Sequence, residues 1–419
     1  MSTLSQLAES LIGSEIVKLG NEISKRVREG EKIYNFTIGD FDPGIFPIPT
    51  ELEEEIIQCY KAHYTNYPPA DGLPELRTAI SDFIQDHAKV HYLPNEIQVA
   101  SGGRPLIYAT FKAIVDKDDR VIYAVPSWNN NHYTAMNHGV HCTIDAHPEN
   151  NFMPTVADIQ PHIAGAALVC ICTPQNPTGT TMSKETLEGI CNLILEENKK
   201  RTGTTKKLYL MFDQMYALLT YNDTVHYNPV ALRPAMKDYT IFIDGISKSF
   251  AATGVRVGWS MGPANVMGKM RALLSHIGAW APMAEQKATA NFLVQKEAVS
   301  KHLLNFKSEL KVRLEDIYKG LVILNKKGLP VESIVPQAAM YLTIKLDLVG
   351  KKTAGGVTLK NQVEVTEYIL DKAKLAIVPF YAFGAGFHSP WYRLSVGTCV
   401  KSEIPEMLAL LEKALSELV

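Results

Sequence analysis

Between residues 97 and 260 the chain changes character at short, regular intervals. Runs rich in apolar and β-branched residues lie at 97–100, 120–124, 141–144, 167–172, 208–212, 240–243 and 255–260, with helical patterns between several of them. Strand and helix in alternation predict an α/β fold, with a mostly parallel seven-stranded sheet between layers of helices. In such sheets ligands bind at the carboxyl ends of the strands. After residue 300 the pattern shifts. A charged amphipathic helix over 301–326 leads into an α+β region, with pieces at 340–345, 363–373, 375–378 and 392–396 and a closing helix from 402. Upstream, Ser14 is expected to cap a helix whose apolar positions are Ile16, Leu19, Ile23 and Val27. Residues 39–44 then break that helix. Pro49–Thr50 followed by Glu51, Glu53, Glu54 and Glu55 reads as a capped helix with acids in its first turn. Residues 64–72 read as a loop. The expected division is 1–48, an N-terminal arm and part of a small domain; 49–300, a large domain; and 301–419, the rest of the small domain, which is built from both chain ends.

Lys and Arg together number 42 and Asp and Glu 44, a net charge of −2. That balance gives no reason to expect nucleic acid or an anionic membrane as a partner. No apolar stretch approaches about 18 residues, and no signal peptide is visible. The six cysteines form no C-x-x-C pair. They read as small core residues of a reducing cytoplasm.

The residues that carry chemistry fall just past the predicted strands. Ser101-Gly102-Gly103-Arg104-Pro105 ends one strand and opens a helix, where backbone amides and the helix N-terminus favour an anion. Trp128 follows the next strand and suits stacking on a flat ring; a half-buried core indole is the plain alternative. Asn176 stands in Asn-Pro-Thr-Gly, a turn signal by itself. Asp213 closes a very apolar strand, with Tyr216 three residues on. A carboxylate there is costly unless a cation or a helix N-terminus pairs with it. Lys248, in Asp-Gly-Ile-Ser-Lys-Ser, ends another strand among small residues, and Arg256 follows eight positions later. A lysine in that setting suits a Schiff base with an aldehyde cofactor, and the arginine suits its phosphate. Arg393, in Trp-Tyr-Arg-Leu-Ser, is either an edge charge or a two-pronged clamp for a carboxylate.

Taken in order, these residues resemble the fold-type-I, pyridoxal-phosphate-dependent aminotransferases of class I/II. The resemblance runs from about Ser14 to Gly397 and adds Gly39 in an early turn and Tyr67 before Gly72. It implies pyridoxal 5'-phosphate as cofactor, bound to Lys248, which then also carries the proton between substrate and cofactor. It implies Asp213 at the pyridine nitrogen, Asn176 and Tyr216 at the phenolic oxygen, and Trp128 on the ring. Gly103 and Arg104, through backbone amides, and Arg256 would take the phosphate. Arg393, helped by the Gly39 backbone, would take the substrate α-carboxylate. Tyr67 would reach the phosphate of a neighbouring subunit, so the resemblance implies a homodimer with shared sites. No metal is implied.

Two departures stand out. Relatives often carry a hydroxyl residue three before the lysine; here it is Gly245, and Ser247 is not assigned that role. No second arginine stands out for a substrate side-chain carboxylate, while Tyr64, Trp280, Phe380, Tyr381 and Phe383 are aromatic residues expected to border the pocket. Neutral, bulky or aromatic donors are therefore expected over aspartate. The same residues would also serve a β-lyase or an aminocyclopropane-carboxylate-synthase-like enzyme, because the cofactor carries the electron-sink chemistry. A non-enzymatic effector-sensing module is the remaining reading, disfavoured by the short stretch ahead of Gly39 and the lack of basic charge.

Overall fold

The protein is described from a computed structural model. The structure describes residues 3–11, 13 and 15–419. The Ser14 cap therefore lies outside the described residues, but the helix it was expected to start is present at Glu15–Arg28. Strands run in chain order as β1 (Tyr34–Asn35), β2 (Ile97–Ala100), β3 (Arg120–Val125), β4 (Val140–Asp145), β5 (Ala166–Cys172), β6 (Tyr209–Asp213), β7 (Thr240–Gly245), β8 (Gly258–Met261), β9 (Val331–Ser333), β10 (Tyr341–Leu346), β11 (Leu375–Ala376), β12 (Val378–Pro379) and β13 (Trp391–Ser395).

The large sheet has seven strands in the order β2-β8-β7-β6-β5-β3-β4. Pairings from β4 through β7 are parallel; β8 runs antiparallel to both β2 and β7. Central strands are buried on both faces. In β7, Ile241 and Ile243 join one apolar layer and Phe242 the other. This two-sided burial explains why these strands read as continuous apolar runs rather than as alternating ones. The reversed β8 starts later than the sequence pattern predicts. Residues 253–255 form a turn, and Arg256 just after it takes a left-handed φ of 62°.

A four-stranded antiparallel sheet has the order β12-β13-β10-β9, and β1 pairs with β11 in parallel. Thus a segment before residue 36 and one after 374 meet in one layer. The helix Lys296–Lys326 packs against β9 and the closing helix Ile404–Ser416. The expected boundary at 300/301 falls inside that long helix. Helix Thr50–Lys61 forms as expected, but no side chain caps it: Pro49 occupies the cap position. Glu51 and Glu53 face the positive end of the helix dipole instead.

Candidate active site

Strand ends of the large sheet and two segments from the small layer enclose a cavity of about 410 Å³. Its walls include Gly39, Gly103, Arg104, Trp128, Asn176, Asp213, Tyr216, Lys248, Arg256 and Arg393. Every site residue expected from the sequence is therefore at this cavity except Tyr67.

Lys248 sits on a four-residue helix, Ile246–Ser249, directly after β7. Its Nζ donates to the Gly39 carbonyl at 2.6 Å. Burial pushes the amine down to about 8; Asp40 opposes this, and the positive charges of Arg393, Arg104 and Arg256 add to it. An amine with so weak a hold on its proton is suited to nucleophilic and proton-transfer work near neutral pH. Asp213 lies on the neighbouring strand end. Burial raises its carboxyl to about 6, and the one hydrogen bond it accepts among the described residues comes from the Met215 amide at 3.1 Å. It is a half-buried acid with no ion-pair partner among the described residues.

Gly102 precedes the helix Gly103–Ile114 with φ 90°. Arg256 donates to the Ser101 carbonyl at 2.8 Å and to the Thr253 carbonyl at 2.7 Å, which lays its guanidinium across this helix start. A Cβ on Gly102 would come within 2.2 Å of Arg256 Nη2. The free amides of a helix start and a fixed guanidinium form an anion cradle that a larger side chain would fill. Trp128 lies beside Arg104, whose guanidinium carbon is 5.3 Å from the indole ring.

Arg393, in the middle of β13, is only 1% exposed. Its Nη1 donates to Asn176 Oδ1 at 3.0 Å and its Nη2 to the Thr37 carbonyl at 2.6 Å; its Nε has no partner. The rings of Tyr341 and Phe383 lie 4.8 and 4.9 Å from its guanidinium carbon. A buried arginine held by neutral acceptors alone offers a positive charge and a planar fork suited to a carboxylate.

Tyr67 is elsewhere. It is 81% exposed and makes an edge contact with Trp280 at 5.1 Å, in a surface groove with Tyr60 and Tyr64. Of the expected aromatic border, Phe383 reaches the site, beside Arg393 and 6.3 Å from the Trp128 ring, while Phe380, Tyr381, Tyr64 and Trp280 lie elsewhere, which corrects the sequence reading for those four. Phe380 turns inward on a short 3-10 turn and packs on Phe152 at 5.3 Å. Tyr381 stacks on Phe387 at 5.2 Å. Tyr64 and Trp280 belong to the Tyr67 groove. In their place the cavity presents Ile16, Val17, Asp40, Cys172, Met215, Ser247 and Thr253. Adjacency to Gly39 was the available signal for Asp40. Gly245 has a packing reason: a Cβ there would lie 2.8 Å from the Gly258 Cα of β8.

Lys248, Asp213, the cradle at Gly102–Arg256 and Arg393 thus meet at the strand ends of one sheet, an arrangement suited to amino-group transfer. Residues 31–411 match the family described as Aminotransferase class I and II, and the chain belongs to that family. It is an aminotransferase. It is similar to a probable aspartate/prephenate aminotransferase of Rickettsia felis, 27% identical over 99% of this chain and 97% of that one. An aspartate aminotransferase of Bacillus sp. YM-2 is 28% identical over 91% of this chain and 92% of its own. Among solved structures, the aspartate aminotransferase of Rhizobium meliloti superposes with a TM-score of 0.90 at 24% identity, covering 100% of each chain. The Thermus thermophilus aspartate aminotransferase with maleate gives 0.87 at 25% identity, covering 99% of this chain and all of the other. These relatives favour transamination over the lyase and effector-module readings.

Proposed function

We propose that the cavity holds pyridoxal 5'-phosphate and that the enzyme transfers the amino group of an acidic amino acid to a 2-oxo acid in two half-reactions. The observation that carries the cofactor reading is the convergence of Lys248, Asp213 and the Gly102–Arg256 cradle on one cavity wall. When bound, the cofactor supplies an electron sink for the bond broken at the amino acid's α-carbon. Arg256 and the amides of Gly103 and Arg104 hold its phosphate, and Trp128 covers its ring. Asp213 gains the cation its carboxylate lacks, a ring N–H. Asn176 and Tyr216 meet the phenolic oxygen. Lys248 would hold the cofactor's aldehyde group, and its amine would take and return the α-proton. Arg393 grips the α-carboxylate, which fixes the α-carbon in front of Lys248.

The acidic donor rests on charge. Arg256 and Arg393 each have a task. Arg104 is a third guanidinium at the same cavity, solvent-exposed and lying against the Trp128 ring. A second anionic group on the substrate is its natural partner. The aspartate names of the relatives agree. Tyr67 and Tyr64, both exposed beside Trp280, support a homodimer in which each Tyr67 completes the partner's site. Six free cysteines support a cytoplasmic location.

Borohydride should fix the cofactor to Lys248, as read by peptide mapping. A label on another lysine would refute the site. In a donor panel, aspartate should give a higher kcat/KM than phenylalanine, leucine or methionine. Arg104→Leu should lower the aspartate value roughly 100-fold and the phenylalanine value far less. Equal losses for both donors would confine Arg104 to the cofactor.

A further inference from the structure

Tyr341 stands one layer behind the cavity wall, at the start of β10, and is 1% exposed. It touches three groups of the site. Its hydroxyl lies 2.6 Å from that of Tyr216, with the two rings edge-on at 5.5 Å. Its ring face lies 4.8 Å from the Arg393 guanidinium carbon. A Cβ on Gly39 would sit 3.3 Å from its hydroxyl. The backbone leading to it is pinned to the turns of the large sheet. Tyr221 N bonds Gln337 O at 2.9 Å, Ala338 N bonds Gly179 O at 2.9 Å and Ala339 N bonds Leu219 O at 2.7 Å. Tyr341 therefore cannot shift without moving the turn that carries Asn176.

Two hydroxyls at 2.6 Å share one hydrogen bond. If Tyr216 donates it, its single proton is spent and nothing from that hydroxyl points into the cavity. If Tyr341 donates it, the Tyr216 proton is free for another acceptor. Tyr341 has no other hydrogen-bond partner among the described residues. Burial keeps both phenols neutral, and the positive charge of Arg393 on the Tyr341 ring sharpens its hydroxyl as a donor.

We propose that Tyr341 is a positioning residue for transamination: it donates to Tyr216, so that the Tyr216 proton is directed at the phenolic oxygen of the bound cofactor, and its ring holds the Arg393 guanidinium in the plane that meets the substrate carboxylate. The proposal rests on the cofactor reading above. It ties the carboxylate clamp on one side of the cavity to the cofactor's hydrogen bonding on the other through a single side chain.

The test uses the cofactor-loaded enzyme and follows the visible absorbance of bound cofactor against pH. Tyr341→Phe keeps the ring and removes the donor. Its absorbance midpoint should rise by about 0.5 to 1 pH unit, because a Tyr216 hydroxyl that no longer accepts from Tyr341 is a less polarised, weaker donor to the phenolic oxygen, and the chromophore holds its proton more tightly. Tyr216→Phe should raise the midpoint further, and the double variant should match Tyr216→Phe alone. Tyr341→Phe should leave the KM for the amino donor unchanged. Tyr341→Leu, which also removes the ring, should raise it roughly tenfold. An unchanged midpoint in Tyr341→Phe, or shifts that simply add in the double variant, would overturn the relay. An unchanged KM in Tyr341→Leu would overturn the role of the ring. A wild-type protein that gains no visible absorbance from added cofactor sinks the cofactor reading instead, a result distinct from these.

Discussion

Asp213 holds its proton up to about pH 6 because burial disfavours the carboxylate and only one amide hydrogen bond opposes that. Its folded value is therefore above the ordinary 3.8. For such a group the stability contribution is complete below the unfolded value and is lost as pH rises through the folded one. In thermal melts of cofactor-free protein, Asp213→Asn should lose less stability than wild type between about pH 4 and pH 6. With cofactor, the same variant loses the anion that balances the ring N–H, so kcat should fall by roughly 1,000-fold. Near-normal turnover would leave the carboxylate a purely structural role. This residue was legible because a charge closing a run as apolar as Leu208–Phe212 demands an explanation. Tyr341 was not legible. Its partner Tyr216 is 125 positions away, and no local pattern pairs two tyrosines across two sheets. Phe380 and Tyr381 misled for a related reason. Whether a ring faces cavity or core depends on the direction of one short turn, which composition does not encode.

Strands and turns show the same division between local and non-local information. The seven runs of the large sheet appear at or near their expected places because burial on both faces demands unbroken apolar sequence. Direction is a different matter. An apolar strand reads alike parallel or antiparallel, so neither the reversal of β8 nor the turn at 253–255 ahead of it follows from the sequence pattern. That turn has a purpose: the left-handed Arg256 sends its side chain back to the Ser101 carbonyl. The Asn-Pro-Thr-Gly turn is held just as tightly. Gly179 has φ 69°, and a Cβ there would lie 2.3 Å from the Tyr341 carbonyl oxygen. Gly179→Ala should cost about 2–4 kcal/mol in denaturant unfolding through strain and displaced backbone. It should also weaken donor binding more than cofactor binding, because the turn carries Asn176 against Arg393. A variant with native stability and native KM would show that the turn has room.

At the scale of the whole molecule, the proposed homodimer would bring the exposed Tyr67 of each chain to its partner's site. Lys248→Ala has a sound Tyr67, and Tyr67→Ala has a sound Lys248. Mixed and allowed to exchange subunits, the two inactive proteins should recover up to about a quarter of wild-type activity, since half of the chains form hybrids and each hybrid has one intact site. No recovery, or an active monomer in sedimentation, would contradict shared sites. The clamp around Arg393 has a further consequence, one for the order of assembly. Its guanidinium bonds Thr37 and Asn176, which are 356 and 217 positions away in the chain, and Lys248 bonds Gly39 across 209. Contacts that close loops of this length are the slowest to form. The large sheet can gather its strands from near neighbours, yet the carboxylate site exists only when both outer segments have come back over it. A nascent chain still lacking its last strands is thus a scaffold without chemistry, and catalytic competence is the final property that folding confers.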